Sequence, residues 1–272
     1  MENIRIGKLE TKRLMHVGQF SNIYEVEGLN KDGLESVVKF KMFKEGEEFV
    51  HDLFLEVKIF QLMRGNRHIP RLLSQKVDKQ SSYIQMERLG ASLTDLKLMC
   101  GNSFSLKTTL LLFDQMLEVV SDFHKVGVVI GELKPNHFLI GCGLNSDTLY
   151  LIDYENYQLK GKGATRSIDS VTYDFLPTDS LMGKGPSKAG DVESLFYILL
   201  FMILETMPWS STIAQGINET SSPHEVRMAY FREKKYMPPE LVCFGLPGRF
   251  IRRVPTTLGL RETTESQRGP RH

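Results

Sequence analysis

A carboxylate stands in the apolar stripe of a helix, and nothing else in the sequence constrains the chain as much. Between 51 and 64, Leu53, Val57, Phe60 and Met63 recur at helical spacing. Glu56 lies three residues after Leu53 and four before Phe60, so it projects along the same stripe. Burying an unpaired charge costs roughly several kcal/mol, so a carboxylate aimed at a core needs a cation. Lys39 would serve, because Val37, Val38 and Phe40 flank it on a segment with strand alternation. The other reading is that Glu56 skirts the apolar face and reaches water.

The surrounding pattern predicts strands first and helices later. Ile23 to Val26 and Val37 to Met42 alternate with period two, around a loop with Gly28, Asn30, Asp32 and Gly33. Tyr83 to Met86 is a further strand, ending near Gly90. Ser105 is placed to cap a helix whose stripe is Leu106, Leu110, Phe113, Leu117, Val120 and His124, with Gly127 as its stop. His124 on that stripe reads as a satisfied core residue. Val128 to Ile130 and Leu149 to Ile152 are short apolar pieces. Leu195 to Leu204 is apolar at every position. Ten residues fall short of the roughly twenty that span a bilayer, so this is a helix buried on all sides. The Arg-rich stretch 245–272 reads as a poorly ordered tail, and Lys234-Lys235 as solvated surface.

Charge and cysteine usage narrow the function classes. With 34 Lys+Arg against 33 Asp+Glu, the net charge is +1. A general nucleic-acid or membrane-surface binder would need a basic excess. The amino terminus has no apolar core, so no signal peptide is expected. Cys100, Cys142 and Cys243 are far apart and in no metal spacing, which fits a reducing compartment and makes the Asn218 sequon a chance match. The expected location is the cytoplasm, with the nucleus as a second possibility.

Several segments then fall into a known order. They include Phe54-Leu55-Glu56-Val57-Lys58-Ile59-Phe60, Met86 through Leu96, Phe104 through Thr108, Lys134-Pro135-Asn136-His137-Phe138-Leu139, Asp191 through Leu195, and Met207-Pro208-Trp209. From about Leu14 to about Phe250 the chain resembles the casein kinase 1 family of serine/threonine protein kinases. The resemblance implies a bilobal α+β fold. Its N-lobe, residues 1–86, would be a small antiparallel sheet with one helix. Its C-lobe, residues 87–250, would be helical and shortened, with 251–272 as a disordered tail.

By the same resemblance, Lys39 anchors the ATP phosphates and Glu56 is its helix partner. Met86 matches the gatekeeper, and Glu87 to Leu89 the adenine hinge. Met15, Ile23, Val37, Leu139 and Ile152 match the apolar walls of the adenine slot. Gly18 is the surviving glycine of the phosphate loop. Lys134 matches the lysine that neutralises the transferred phosphate, Asp153 the metal-binding aspartate, and Asp191 the brace of the catalytic loop.

The departures bear on chemistry. The family's H-R-D reads Ile130-Gly131-Glu132, so the base is a glutamate, one methylene longer. The metal-binding asparagine reads His137, and imidazole suits Mg²⁺ poorly. D-F-G reads Asp153-Tyr154-Glu155, and G-x-G-x-x-G reads His16-Val17-Gly18-Gln19-Phe20-Ser21. The substrate-binding arginine of the activation segment reads Thr172, while Arg227 keeps a second basic position. The expectation is a pseudokinase that binds ATP, with Mg²⁺ in doubt, and acts on a protein partner without nucleic acid or membrane. The alternative is a slow serine/threonine kinase with Glu132 as base and a protein substrate. A shortened lower lobe would also expose apolar surface, implying marginal stability, a covering partner or an incomplete product.

Overall fold

Alternating side chains lay down the first half of the chain as an antiparallel sheet, and the 3.6-residue period then takes over. The computed structural model describes residues 4–18, 21–30, 33–42, 52–77, 81–154, 157–159, 172–218 and 220–237. The strands are β1 (Arg5–Ile6), β2 (Leu9–Val17), β3 (Asn22–Val26), β4 (Ser36–Met42), β5 (Leu72–Val77) and β6 (Ser81–Glu87). They form one sheet in the order β1-β2-β3-β4-β6-β5, and α1 (Asp52–Leu62) connects β4 to β5.

Register decides what this sheet presents. Ile23 pairs with Lys39, Lys39 with Ile84, and Val37 with Met86. Cross-strand partners share a face, so these five side chains lie on one side of the sheet. The opposite face carries Val26 and Val38, which join Ile6 in a small core flanked by Tyr24, Phe40 and Tyr83. α1 packs on β5 and β6, burying Leu53, Val57, Phe60 and Met63 as its spacing predicts.

The second half is helical. α2 (Leu93–Met99) starts in a capping box between Ser92 and Asp95. α3 (Leu106–Lys125) is capped by Ser105, which accepts from the Thr108 amide, and Gly127 follows its end at a φ of 81°. β7 (Val128–Val129), β8 (Phe138–Ile140), β9 (Leu149–Leu151) and β10 (Gln158–Leu159) make two ribbons, β7 with β10 and β8 with β9. α4 (Thr178–Leu181), α5 (Lys188–Ile203), α6 (Ser210–Gly216) and α7 (Pro223–Tyr236) complete the seven α-helices among the described residues. The expected α+β fold, with a sheet-built N-lobe and a helical C-lobe, is what forms.

One expectation is corrected in α3. Leu110 and Leu117 are 37% and 39% exposed, and the buried row is Thr109, Met116, Val119, Val120 and Phe123. Leu110 to Phe113 are all apolar, so the apolar band is wider than one row. Spacing alone does not choose which edge faces α5, against which α3 packs. In the helix from Lys188 to Ile203 the apolar run is buried from Leu195 to Leu200 and at Met202, with Phe201 and Ile203 partly buried and Lys188 and Ala189 exposed at its start. The expected tail and the shortened end of the lower lobe lie outside the described residues.

Candidate functional site

The two readings of Glu56 resolve to the paired one. Glu56 is 2% exposed and Lys39 6% exposed, and Lys39 Nζ donates to Glu56 Oε1 at 2.6 Å. β4 lies between β3 and β6, so Lys39 emerges from mid-sheet on the face that α1 approaches. The same ammonium lies 3.2 Å from Asp153 Oδ1. Asp153 follows β9 and has a φ of 67°, a left-handed conformation that aspartate tolerates better than most residues. Burial pushes its carboxyl up, but Lys39 and His137 outweigh that and hold it well below the usual carboxylate range.

An aromatic plug fixes Asp153 in place. Tyr154 is buried, donates its hydroxyl to the Leu151 carbonyl at 2.6 Å, and meets Phe60 edge-on at 5.2 Å. Phe123 and Tyr157 close around it at 6.0 and 5.1 Å. Burial raises both tyrosine phenols well above their ordinary value, so they remain neutral. The plug therefore ties α1, α3 and the segment after β9 into one unit.

The loop from Ile130 to His137 is held from below. Asp191 accepts from the Ile130 amide at 3.0 Å and the Gly131 amide at 2.8 Å, and lies 2.7 Å from His124 Nε2. His124 thus has a partner, as expected of it. Gly131 has a φ of 81°, where a side chain would be strained. Lys134 Nζ donates to Glu132 Oε1 at 3.0 Å. His137 is 5% exposed, with Nε2 3.2 Å from Asp153 Oδ2. That contact pairs the imidazole with the Asp153 carboxylate, although neither ring nitrogen meets strict hydrogen-bond alignment.

The apolar residues assigned to the adenine slot are left part-exposed beside fully buried neighbours. Ile23, Val37 and Met86 share the Lys39 face of the sheet. Met15 is exposed at the bulge where β2 skips register between Leu14 and His16. Leu89 follows β6, Leu139 pairs with Tyr150, and Ile152 donates its amide to the His137 carbonyl at 2.9 Å. Gly18 donates its amide to Ser21 O at 2.9 Å, and a Cβ at Gly18 would stand 2.7 Å from that oxygen. Close backbone approach therefore requires glycine there.

A protein kinase domain model matches residues 9–241. The chain belongs to the protein kinase family. Kinase domains generally bind ATP and Mg²⁺ and act on protein substrates or partners. Within this kinase domain the Mg²⁺ fit is poor, because a buried imidazole nitrogen faces Asp153 where an oxygen donor is wanted. Among the described residues no group of three or more His, Cys, Asp or Glu could hold an ion. No helix among them is long and apolar enough to cross a membrane.

Lys234 corrects the sequence reading. It is 3% exposed, not solvated, and donates at 2.7 Å to the carbonyls of both Tyr173 and Leu176. Its ammonium lies 4.1 Å from the Tyr197 ring centre and 5.0 Å from that of Trp209. Burial pushes its pKa down to about 7, against the opposing pull of Glu193 and Asp174. The available signal was position, since Lys234 follows the buried Phe231 by three residues on α7. Thr172 is exposed and Arg227 half-buried on α7; Glu155, Gln19 and Phe20 lie outside the described residues.

Proposed function

We propose that this kinase-family chain is a casein-kinase-1-like pseudokinase, an ATP-binding regulatory module with weak or no phosphoryl transfer. Residues 1–86 form its N-lobe and 87–250 its C-lobe. Lys39 holds the nucleotide phosphates, oriented by Glu56. Met15, Ile23, Val37, Met86, Leu89, Leu139 and Ile152 enclose the adenine, and Gly18 lets the backbone approach the phosphates. The observation that carries this reading is the asymmetry at Asp153. One carboxylate oxygen faces Lys39 at 3.2 Å, and the other faces a buried imidazole at 3.2 Å. Anchoring survives, while the metal side has changed chemistry.

A specific observation also favours the slow-kinase reading. The catalytic loop is still braced by Asp191, and Lys134 lies within 3.0 Å of Glu132. Glu132 would accept the proton of an incoming hydroxyl, and Lys134 would neutralise charge on the transferred phosphoryl group. Transfer depends chiefly on positioning and charge, so a displaced carboxylate slows it without abolishing it.

Two measurements separate these readings. Melting-temperature shifts with ATP, with and without divalent ions, test occupancy, and no shift under any condition would remove both. Radiolabel transfer from ATP to casein tests chemistry, with Lys39→Ala as the control. Transfer by the wild type that disappears in Lys39→Ala would replace the pseudokinase reading with the slow kinase.

A further inference from the structure

We propose that Arg88 is a positioning residue for the adenine ring, its guanidinium latching the hinge to two carboxylates of the sheet. The inference rests on the nucleotide-binding reading and names a residue that sets how the hinge meets the base. Sheet register places the latch. Glu25 pairs with Val37, and Val37 with Met86, so Glu25 stands in the same cross-strand row as two walls of the adenine slot. It is 4% exposed, and a carboxylate so buried needs cations. Arg13, its partner on β2, donates to it at 2.6 Å, and Lys12 lies at 3.4 Å. Arg88 follows Met86 by two residues, just past the end of β6, and its guanidinium reaches Glu25 at 3.3 Å.

The same guanidinium donates to Glu35 Oε2 at 2.6 Å, so it bridges β3 and the residue before β4. The Arg88 amide also donates to the Glu35 carbonyl at 3.0 Å, and the Glu87 amide donates to the Arg71 carbonyl at 3.1 Å. Main chain and side chain of Arg88 are therefore both tied to the sheet. Beyond Leu89, the Gly90 amide donates to the Ile140 carbonyl at 2.8 Å. A Cβ at Gly90 would stand 3.0 Å from the Ile140 side chain and 3.2 Å from the Gly141 carbonyl oxygen, so the chain is held close to β8 there. Leu89 thus lies between two anchors, one on the sheet and one on β8. The Arg13 hydrogen bond outweighs burial and, with Arg88 and Lys12, holds the Glu25 carboxyl below the usual carboxylate range. The latch is therefore charged at neutral pH. A hinge fixed before the base arrives loses less freedom on binding, and a planar fork can hold two carboxylates where a point charge cannot.

The test uses the full chain, with adenosine and a non-hydrolysable ATP analogue titrated calorimetrically. Arg88→Met is expected to weaken both ligands by the same factor, about tenfold, because the latch acts on the base and not on the phosphates. Lys39→Ala, by contrast, should weaken the analogue alone. Arg88→Lys, which keeps the charge without the fork, should fall between wild type and Arg88→Met. In a double-mutant cycle, Arg88→Met should add little to the loss already caused by Glu25→Gln. Adenosine is uncharged, so a purely structural role for Arg88 would leave its binding indifferent to salt. With the latch, the wild type should bind adenosine about threefold more weakly at about 0.5 M than at about 0.05 M NaCl, and Arg88→Met equally at both. The wild-type salt series stands even where a variant does not fold. Unchanged affinity in Arg88→Met, loss confined to the analogue, full additivity, or salt-independent adenosine binding by the wild type would each overturn the inference while sparing nucleotide binding. Failure of the wild type to bind either ligand would overturn both.

Discussion

Lys39 faces two carboxylates at once, Glu56 at 2.6 Å and Asp153 at 3.2 Å, and this division of charge sets what single substitutions do. Removing one member of a buried pair costs about 3–5 kcal/mol, because it strands the other charge. Glu56→Ala should fall near the low end, about 3 kcal/mol, since Asp153 still faces the ammonium. Urea unfolding at neutral pH measures it, and a loss under about 1 kcal/mol would mean the clasp is not structural. Gly131 is a second residue-scale case. Restoring the family's arginine by Gly131→Arg places a side chain at a φ of 81°. The expected cost is about 1–2 kcal/mol, again read by urea unfolding.

At the scale of elements, α5 and α7 hold the loops that the sheet does not reach. Asp191 accepts from two amides of the catalytic loop. Asp191→Asn keeps the shape but turns one acceptor into a donor facing an N–H, leaving buried groups unsatisfied at about 1–3 kcal/mol each. Hydrogen exchange at the Ile130 and Gly131 amides should then accelerate, and unchanged protection would show that the brace lies elsewhere. Lys234 gives α7 a pH signature. Burial holds its folded pKa at about 7, against an ordinary lysine value of 10.5. Between those values the unfolded chain holds a proton that the folded chain has released, so stability rises with pH there and is flat below. The slope is at most about 1.4 kcal/mol per pH unit. The Tyr173 and Leu176 carbonyls accept from the ammonium and oppose its loss of charge, which narrows that pH window and leaves the limiting slope unchanged. Lys234→Met should remove this slope, measured by unfolding at pH 6, 8 and 9.

For the whole molecule, the aromatic plug of Phe60, Phe123, Tyr154 and Tyr157 joins α1 and α3 beneath Asp153. A ligand engaging Lys39 and Asp153 together would therefore stabilise both lobes. At a hundredfold excess over Kd, a ligand that binds only the folded state adds about 2.7 kcal/mol. With an ATP analogue, exchange protection is expected to rise in β4, α1 and the 130–137 loop together. Protection confined to the sheet would argue against a shared cleft.

Much of this was legible in the residues themselves. Glu56 within an apolar stripe demanded a cation, and the flanking of Lys39 nominated it, because the cost of a lone buried charge is local and large. The strands β3, β4 and β6, the Ser105 cap and the Leu195–Leu204 run followed from period and capping chemistry for the same reason. Tertiary packing alone decided which edge of α3 faces α5, since its apolar band is too wide for spacing to choose. It also decided that Lys234 is buried, because two distant carbonyls and two ring faces were brought to it. It set His137 against Asp153 at 3.2 Å, a distance between segments that no spacing along the chain encodes.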